Sequence, residues 1–142
     1  MPNERPIPAD WKAVRAGAFF DLVGPLLRPR AAEERTTFGL QTDQRHVNPI
    51  GIVHGGVLAS LLDQAIAIVA WEAADRQPTV TVQMDTRFLG VAKVSDFLEA
   101  RATVRHVTRT LTFVDAEITS PTGPVASASA IMKITPQRET KT

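Results

Sequence analysis

The chain has 142 residues, 44% of them hydrophobic, and no cysteine. A single domain of this length buries a core without metals or cross-links, and the missing thiols exclude a disulfide framework, a cysteine nucleophile and a thiolate zinc site. Sixteen basic against fifteen acidic residues give a formal net charge of +1, far from the basic excess of a nucleic-acid binder; the composition fits a cytoplasmic protein with no nucleic-acid partner.

In chain order, Trp11, Val14, Ala18, Phe19 and Leu22 recur at helical spacing and predict a helix over residues 9–23, closed by Gly24-Pro25. The apolar cluster from Ala16 to Phe20 is shorter than the hydrophobic segment of a secretion signal. Residues 33–42 alternate as a strand. A loop from Asp43 to Val53, marked by Asn48-Pro49 and Gly51, delivers the chain to a long helix over 54–74.

Beyond that helix the period becomes two. Val80, Val82, Met84 and Phe88 alternate with Thr81, Gln83, Asp85 and Arg87, and the pattern puts the first set on the core. Leu98, Ala100, Ala102 and Val104 mark the next strand. A turn near Val107 to Arg109 leads into a strand over 110–119, and Pro121-Thr122-Gly123-Pro124 turns the chain into a last strand over 125–134. The tail from Pro136 is polar and expected to fray.

The segment from Gly51 to Trp71 has the length of a membrane span, yet it carries His54, Ser60, Asp63 and Gln64. An acid at mid-bilayer costs roughly 2.5–3.5 kcal/mol, so no membrane partner is expected. A helix apolar on nearly every side, preceded by one strand and followed by four, predicts an α+β domain in which a five-stranded antiparallel sheet wraps around the helix. Five strands leave part of that helix bare. A second copy of the chain is therefore expected to cover it, making at least a homodimer.

Asp63, at the centre of this apolar helix, needs either hydrogen-bond partners or a reactive role. The helix opens on His54-Gly55-Gly56, which leaves backbone N–H groups free and lets another molecule approach. Structural roles stand beside the chemical ones: His54 as a helix-start residue, the glycines as packing residues, Asp63 as a hydrogen-bonded core acid. Gly56 and Asp63 are seven positions apart, on one face and about 10 Å apart along the axis. A scissile carbonyl must lie about 3 Å from both its oxyanion donor and its attacking group. A bound water or a second, antiparallel helix would bridge that gap.

The run Asn48-Pro-Ile-Gly51-Ile-Val-His54-Gly55-Gly56, followed after six residues by Asp63, resembles the signature of the PaaI-like acyl-CoA thioesterases, which have the hotdog fold. The likeness extends from about Phe19 to Ile134. It implies hydrolysis of an acyl- or aryl-acyl-CoA thioester to the free acid and coenzyme A, without metal or cofactor, in a homodimer or homotetramer. By the same resemblance the Gly55 N–H polarises the thioester carbonyl, with Gly56 beside it at the substrate. Asp63 of the opposite subunit serves as general base or nucleophile, Asn48 holds the thioester or the water, and Thr81 orients that water. His54 shapes the loop.

Coenzyme A brings phosphates, and Arg105, His106 and Arg109 at one turn, with Lys93 and Arg87, are the candidate cations. Thr108 stands where family members often carry a turn glycine, which alters the expected coenzyme contacts. Met84, Phe88, Leu58 and Leu61 are candidates for an apolar pocket or for ordinary core. The rival readings are a non-catalytic acyl-CoA-binding module of the same fold and a hotdog hydratase or dehydratase. The helix start with its acid nine residues on does not match the latter.

Overall fold

The computed structural model describes residues 7–136; the tail beyond Pro136 lies outside the described residues. The elements run β1 (Trp11–Val14), α1 (Gly17–Val23), β2 (Leu26–Pro29), β3 (Thr37–Gln41), a 3-10 turn (Gln44–His46), α2 (Gly55–Ala73), β4 (Thr79–Phe88), β5 (Phe97–Val107), β6 (Leu111–Ser120) and β7 (Gly123–Ile134). All strand pairs are antiparallel, in the order β1-β2-β3-β5-β6-β7-β4. Strands β3 to β7 are the five expected ones. The sheet has seven, because two short strands lie upstream.

That difference corrects the N-terminal helix over 9–23. Its first part is β1, paired with β2 from Trp11↔Pro29 to Val14↔Leu26, and only Gly17–Val23 is helical. Trp11 lies across the ring of Phe97, centroids 4.9 Å apart, and both rings close over Gly39, where an added Cβ would stand 2.6 Å from Phe97 and 2.9 Å from Trp11. Gly17 adopts a φ of 85°, a turn that a continuing helix does not admit. Tertiary pairing and this turn override a helical spacing that was real but short. The strand expected over 33–42 is likewise shortened to β3.

Helix α2 crosses the concave face of the sheet. Leu58, Leu61, Leu62, Ala65, Ile66, Val69 and Ala70 are buried against inward residues of the strands, among them Leu98, Ala100, Val114, Ile118, Ala128 and Met132. By length and composition α2 could cross a membrane; here one side of it is core. Ser60, Asp63, Gln64, Ala67 and Ile68 form a half-buried stripe at helical spacing, continued by exposed Trp71. No element among the described residues covers that stripe completely.

In β4 the pairing with β7 skips a residue between Thr81 and Gln83. An extra residue in one strand shifts the alternation of side chains beyond it. Thr81 and, past the bulge, Met84 and Phe88 therefore all turn toward α2. Val80 and Val82, read from the sequence as core, are 50% and 59% exposed. The outer edge of β4 pairs with no strand among the described residues.

Candidate active site

The loop from Asp43 to Val53 aims the start of α2. Asp43 caps the 3-10 turn through its side chain, accepting from the N–H of Arg45 at 2.9 Å. The buried ring of His46 accepts the Asp43 N–H at Nδ1 (2.9 Å) and donates from Nε2 to the Val23 carbonyl at 2.6 Å. Arg45 donates to the Gly24 carbonyl at 3.0 Å. Further along, the Asn48 side-chain carbonyl accepts from the N–H groups of Ile50 (3.1 Å) and Ile52 (3.2 Å). Its NH₂ group has no acceptor among the described residues and is left to donate outward.

At the helix start, His54 is the N-cap: its Nδ1 accepts the Gly56 N–H at 2.7 Å. The N–H groups of Val57 and Leu58 reach the His54 carbonyl at 3.0 and 3.4 Å. Of the four first-turn amides, only that of Gly55 lacks an acceptor among the described residues. Gly56 is a glycine for a local reason as well, since a Cβ there would stand 3.0 Å from His54 Nδ1. One free N–H at the positive end of a 19-residue helix can hold a carbonyl oxygen that gains charge.

Asp63 is half-buried on the uncovered stripe, and its Oδ1 accepts the Thr81 hydroxyl at 2.8 Å. The bulge in β4 turns Thr81 toward the helix. Asp63 and Thr81 thus form one half of the expected constellation, and Asn48, His54 and Gly55 the other. Within one chain the halves stay apart: Gly55 and Asp63 are separated by eight residues of helix, about 12 Å.

The candidate cations divide between the two ends of the sheet. Arg87 lies on β4 beside Phe88, and the Lys93 backbone bridges Ile52 next to the Asn48 loop, so both sit at the Gly55 end. Arg105, His106 and Arg109 lie at the β5–β6 turn, whose Thr110 carbonyl accepts from Ile134 N–H at 2.8 Å. Since Ile134 pairs with Thr79, this turn is at the Thr81 end. Arg105 has its Nε 3.6 Å from Asp115, both exposed; the His106 ring is 6.1 Å from that of Phe113. Thr108 closes the turn, its hydroxyl oxygen accepting from the Leu111 N–H at 2.9 Å.

Sequence reasoning missed the supports of this site. His46 passed as a loop residue, although Asp43-x-x-His46 has the spacing of a reciprocal cap, which the structure forms. Leu58 and Leu61 are core rather than pocket wall. Phe88 is not: its ring lies against Gly55.

An antiparallel sheet around one long helix, with a free amide at the helix start and a carboxylate on its open stripe, defines a hotdog-type acyl-transfer scaffold. Residues 50–127 match the model of the thioesterase superfamily. A provisionally named esterase of Pseudomonas aeruginosa is 33% identical over 84% of this chain and 90% of its own length. Human acyl-coenzyme A thioesterase 13 is 28% identical over 75% of this chain and 76% of its own. Among solved structures, a hypothetical thioesterase from Streptococcus pneumoniae with coenzyme A superposes with a TM-score of 0.67 at 29% identity, covering 72% of this chain and 80% of that one. The PaaI protein of E. coli, from its phenylacetic acid degradation operon, gives 0.64 at 25% identity, with 70% and 71% covered. The chain belongs to the thioesterase superfamily, in its PaaI-like branch, and is a thioester hydrolase.

Proposed function

We propose that this protein hydrolyses acyl-coenzyme A thioesters to the free acid and coenzyme A, at sites that two copies of the chain complete. The observation that carries this reading is the single free amide of the α2 first turn, at Gly55. The thioester carbonyl oxygen takes that N–H as its donor, and the Asn48 NH₂ group is free to hold the carbonyl or the water. Asp63 takes a proton from the water as its oxygen adds to the carbonyl carbon, or adds to the carbon itself to give an anhydride that water opens. In either route the C–S bond breaks and the thiolate leaves with its electron pair, which needs no strong acid to assist it.

Pairing of two β4 edges supports the shared site. Running antiparallel, the partner's β4 brings its Phe88 end beside the Thr79–Thr81 end of the first chain. Its own Gly55, near Phe88, then approaches the first chain's Asp63, and the ~12 Å gap within one helix no longer matters. The same pairing covers exposed Val80 and Val82, and the ten-residue free edge of β4 would otherwise invite uncontrolled association. It also gathers the cations: Lys93 and Arg87 from one chain, Arg105, His106 and Arg109 from the other.

A thiol-release assay over a panel of acyl-CoAs, with wild type beside Asp63→Asn, tests the reading. Wild-type release that the variant loses is the expected result. Absence of release from every acyl-CoA, in protein that still binds coenzyme A, would favour the binding-module alternative and overturn it.

A further inference from the structure

Phe88 ends β4 with its ring turned toward α2, yet it is 57% exposed. The ring atoms Cε1 and Cζ stand 3.4 and 3.5 Å from where a Cβ on Gly55 would be, so the ring faces the space a side chain would fill on the residue whose amide is free. A group seated in that space comes within van der Waals reach of the ring.

Around it the surface is apolar. The Ile52↔Lys93 bridge and the bond from Val53 N–H to the Ala92 carbonyl, 2.9 Å, lay residues 50–53 beside residues 91–93. Ile50, Leu89 and Val91 are all exposed there. Lone exposed apolar residues need no explanation, but four on two joined segments beside a reactive amide make a patch. In residues 48–53 and 88–93 the only charge is Lys93. Arg87 neighbours Phe88 but points to the other side of the strand.

We propose, resting on the thioesterase reading above, that the Phe88 ring is a wall of the acyl subsite and selects uncharged, apolar acyl groups over acetyl and over acyl groups ending in a charge. The other arm of the substrate, pantetheine, is rich in amides and ends in phosphates, so it suits the cations rather than this patch. Phe88 meets the acyl group face or edge, as aromatic rings and alkyl chains pack, and excludes water from the Gly55 amide. A carboxylate at the acyl terminus loses its hydration against the ring, and Lys93, the one cation of these two segments, is assigned to the coenzyme phosphates.

The test compares kcat/KM of wild type, Phe88→Ala and Phe88→Leu on acetyl-, hexanoyl-, benzoyl- and succinyl-CoA, with thermal melts of all three proteins. Wild type is expected to favour hexanoyl and benzoyl. In Phe88→Ala the hexanoyl-to-acetyl and benzoyl-to-acetyl ratios should fall about 10–100-fold, while Phe88→Leu restores most of the hexanoyl ratio and less of the benzoyl. Ratios unchanged in Phe88→Ala, with an equal loss on all four substrates, would assign the ring to the fold or to the pantetheine arm and overturn the proposal. So would a wild type without preference for the apolar groups. A wild type inactive on all four would instead remove the thioesterase reading, and the proposal with it.

Discussion

The hydroxyl of Thr81 donates to Oδ1 of Asp63 at 2.8 Å, joining the bulged start of β4 to the middle of α2. A carboxylate oxygen so engaged is fixed in direction, and the other remains open to water or substrate. Asp63→Asn keeps size and most hydrogen bonding but removes the base, so turnover should fall by about 10²–10⁴ while a non-hydrolysable acyl-CoA still binds. Thr81→Ala, which only frees the carboxylate to rotate, should cost less. Asp63→Asn turnover within a few-fold of wild type would take Asp63 out of the mechanism.

His54 holds the Gly56 N–H as an N-cap, which separates its two conceivable roles. Asparagine caps helices well and alanine does not. His54→Asn should therefore keep most of the stability and turnover, and His54→Ala should lose roughly 0.5–2 kcal/mol of stability together with the aim of the Gly55 amide. If both substitutions abolish turnover equally while melting like wild type, the imidazole is an acid or base after all.

Mixing damaged chains tests the shared site. Asn48→Ala and Asp63→Ala homodimers should each be inactive. Unfolded and refolded together in equal amounts, they should form about half heterodimers by random pairing, each with one intact site, so about a quarter of the wild-type sites return. No regained activity, in a mixture shown by mass to contain heterodimers, would assign each site to one chain.

Charging the free edge should separate the chains. Val80→Lys combined with Val82→Lys puts two cations on the exposed strand, a device that blocks edge pairing. Light scattering should then report monomers, folded but with little thioester hydrolysis. A doubly charged protein that stays dimeric would move the interface elsewhere.

Glu72 provides a pH readout away from the site. Burial pushes its carboxyl up, but the hydrogen bond and charge of Arg28 (2.7 Å), and then those of Arg35 (3.1 Å), outweigh this and hold it below its usual 4.5. With the folded pKa depressed, the unfolded chain binds more protons in between, so the contribution is complete above about 4.5 and is lost as pH falls through the folded value. Glu72→Gln should lower stability at neutral pH by about 1–2 kcal/mol, and the difference from wild type should close on acidification. A difference independent of pH would show that packing, not the ion pairs, sets it.

The sequence was informative where a period or a motif is local. The long helix over 54–74 differs from α2 by one residue at each end, the strand marked by Leu98 to Val104 falls inside β5, that over 110–119 is offset from β6 by one residue, and that over 125–134 falls inside β7, because one-sided burial writes itself into alternation. The upstream strands were hidden because β1 forms only by pairing with β2, and Trp11 and Val14 satisfy a helical period equally well. In β4 a single bulged residue reversed the inward set, a shift that composition cannot announce. The spacing from His54 to Asp63 brought the candidate residues into view. That Gly55 alone would keep a free amide depended on which ring nitrogen and carbonyl claimed its neighbours.

The imidazole of His46 ties together two segments, at Val23 and Asp43, that both lie upstream of residues 50–127, the stretch that matches the superfamily. Its Nε2 proton ends on the Val23 carbonyl while its Nδ1 holds the Asp43 amide, so the end of α1 acts as the abutment of the loop that delivers Gly55. A chain cut back to Thr37 would keep every residue of the signature and most of the core. It would also leave a buried N–H without its acceptor at the base of that loop. The segment upstream of Thr37 is thus expected to matter for turnover although no residue of the signature lies in it.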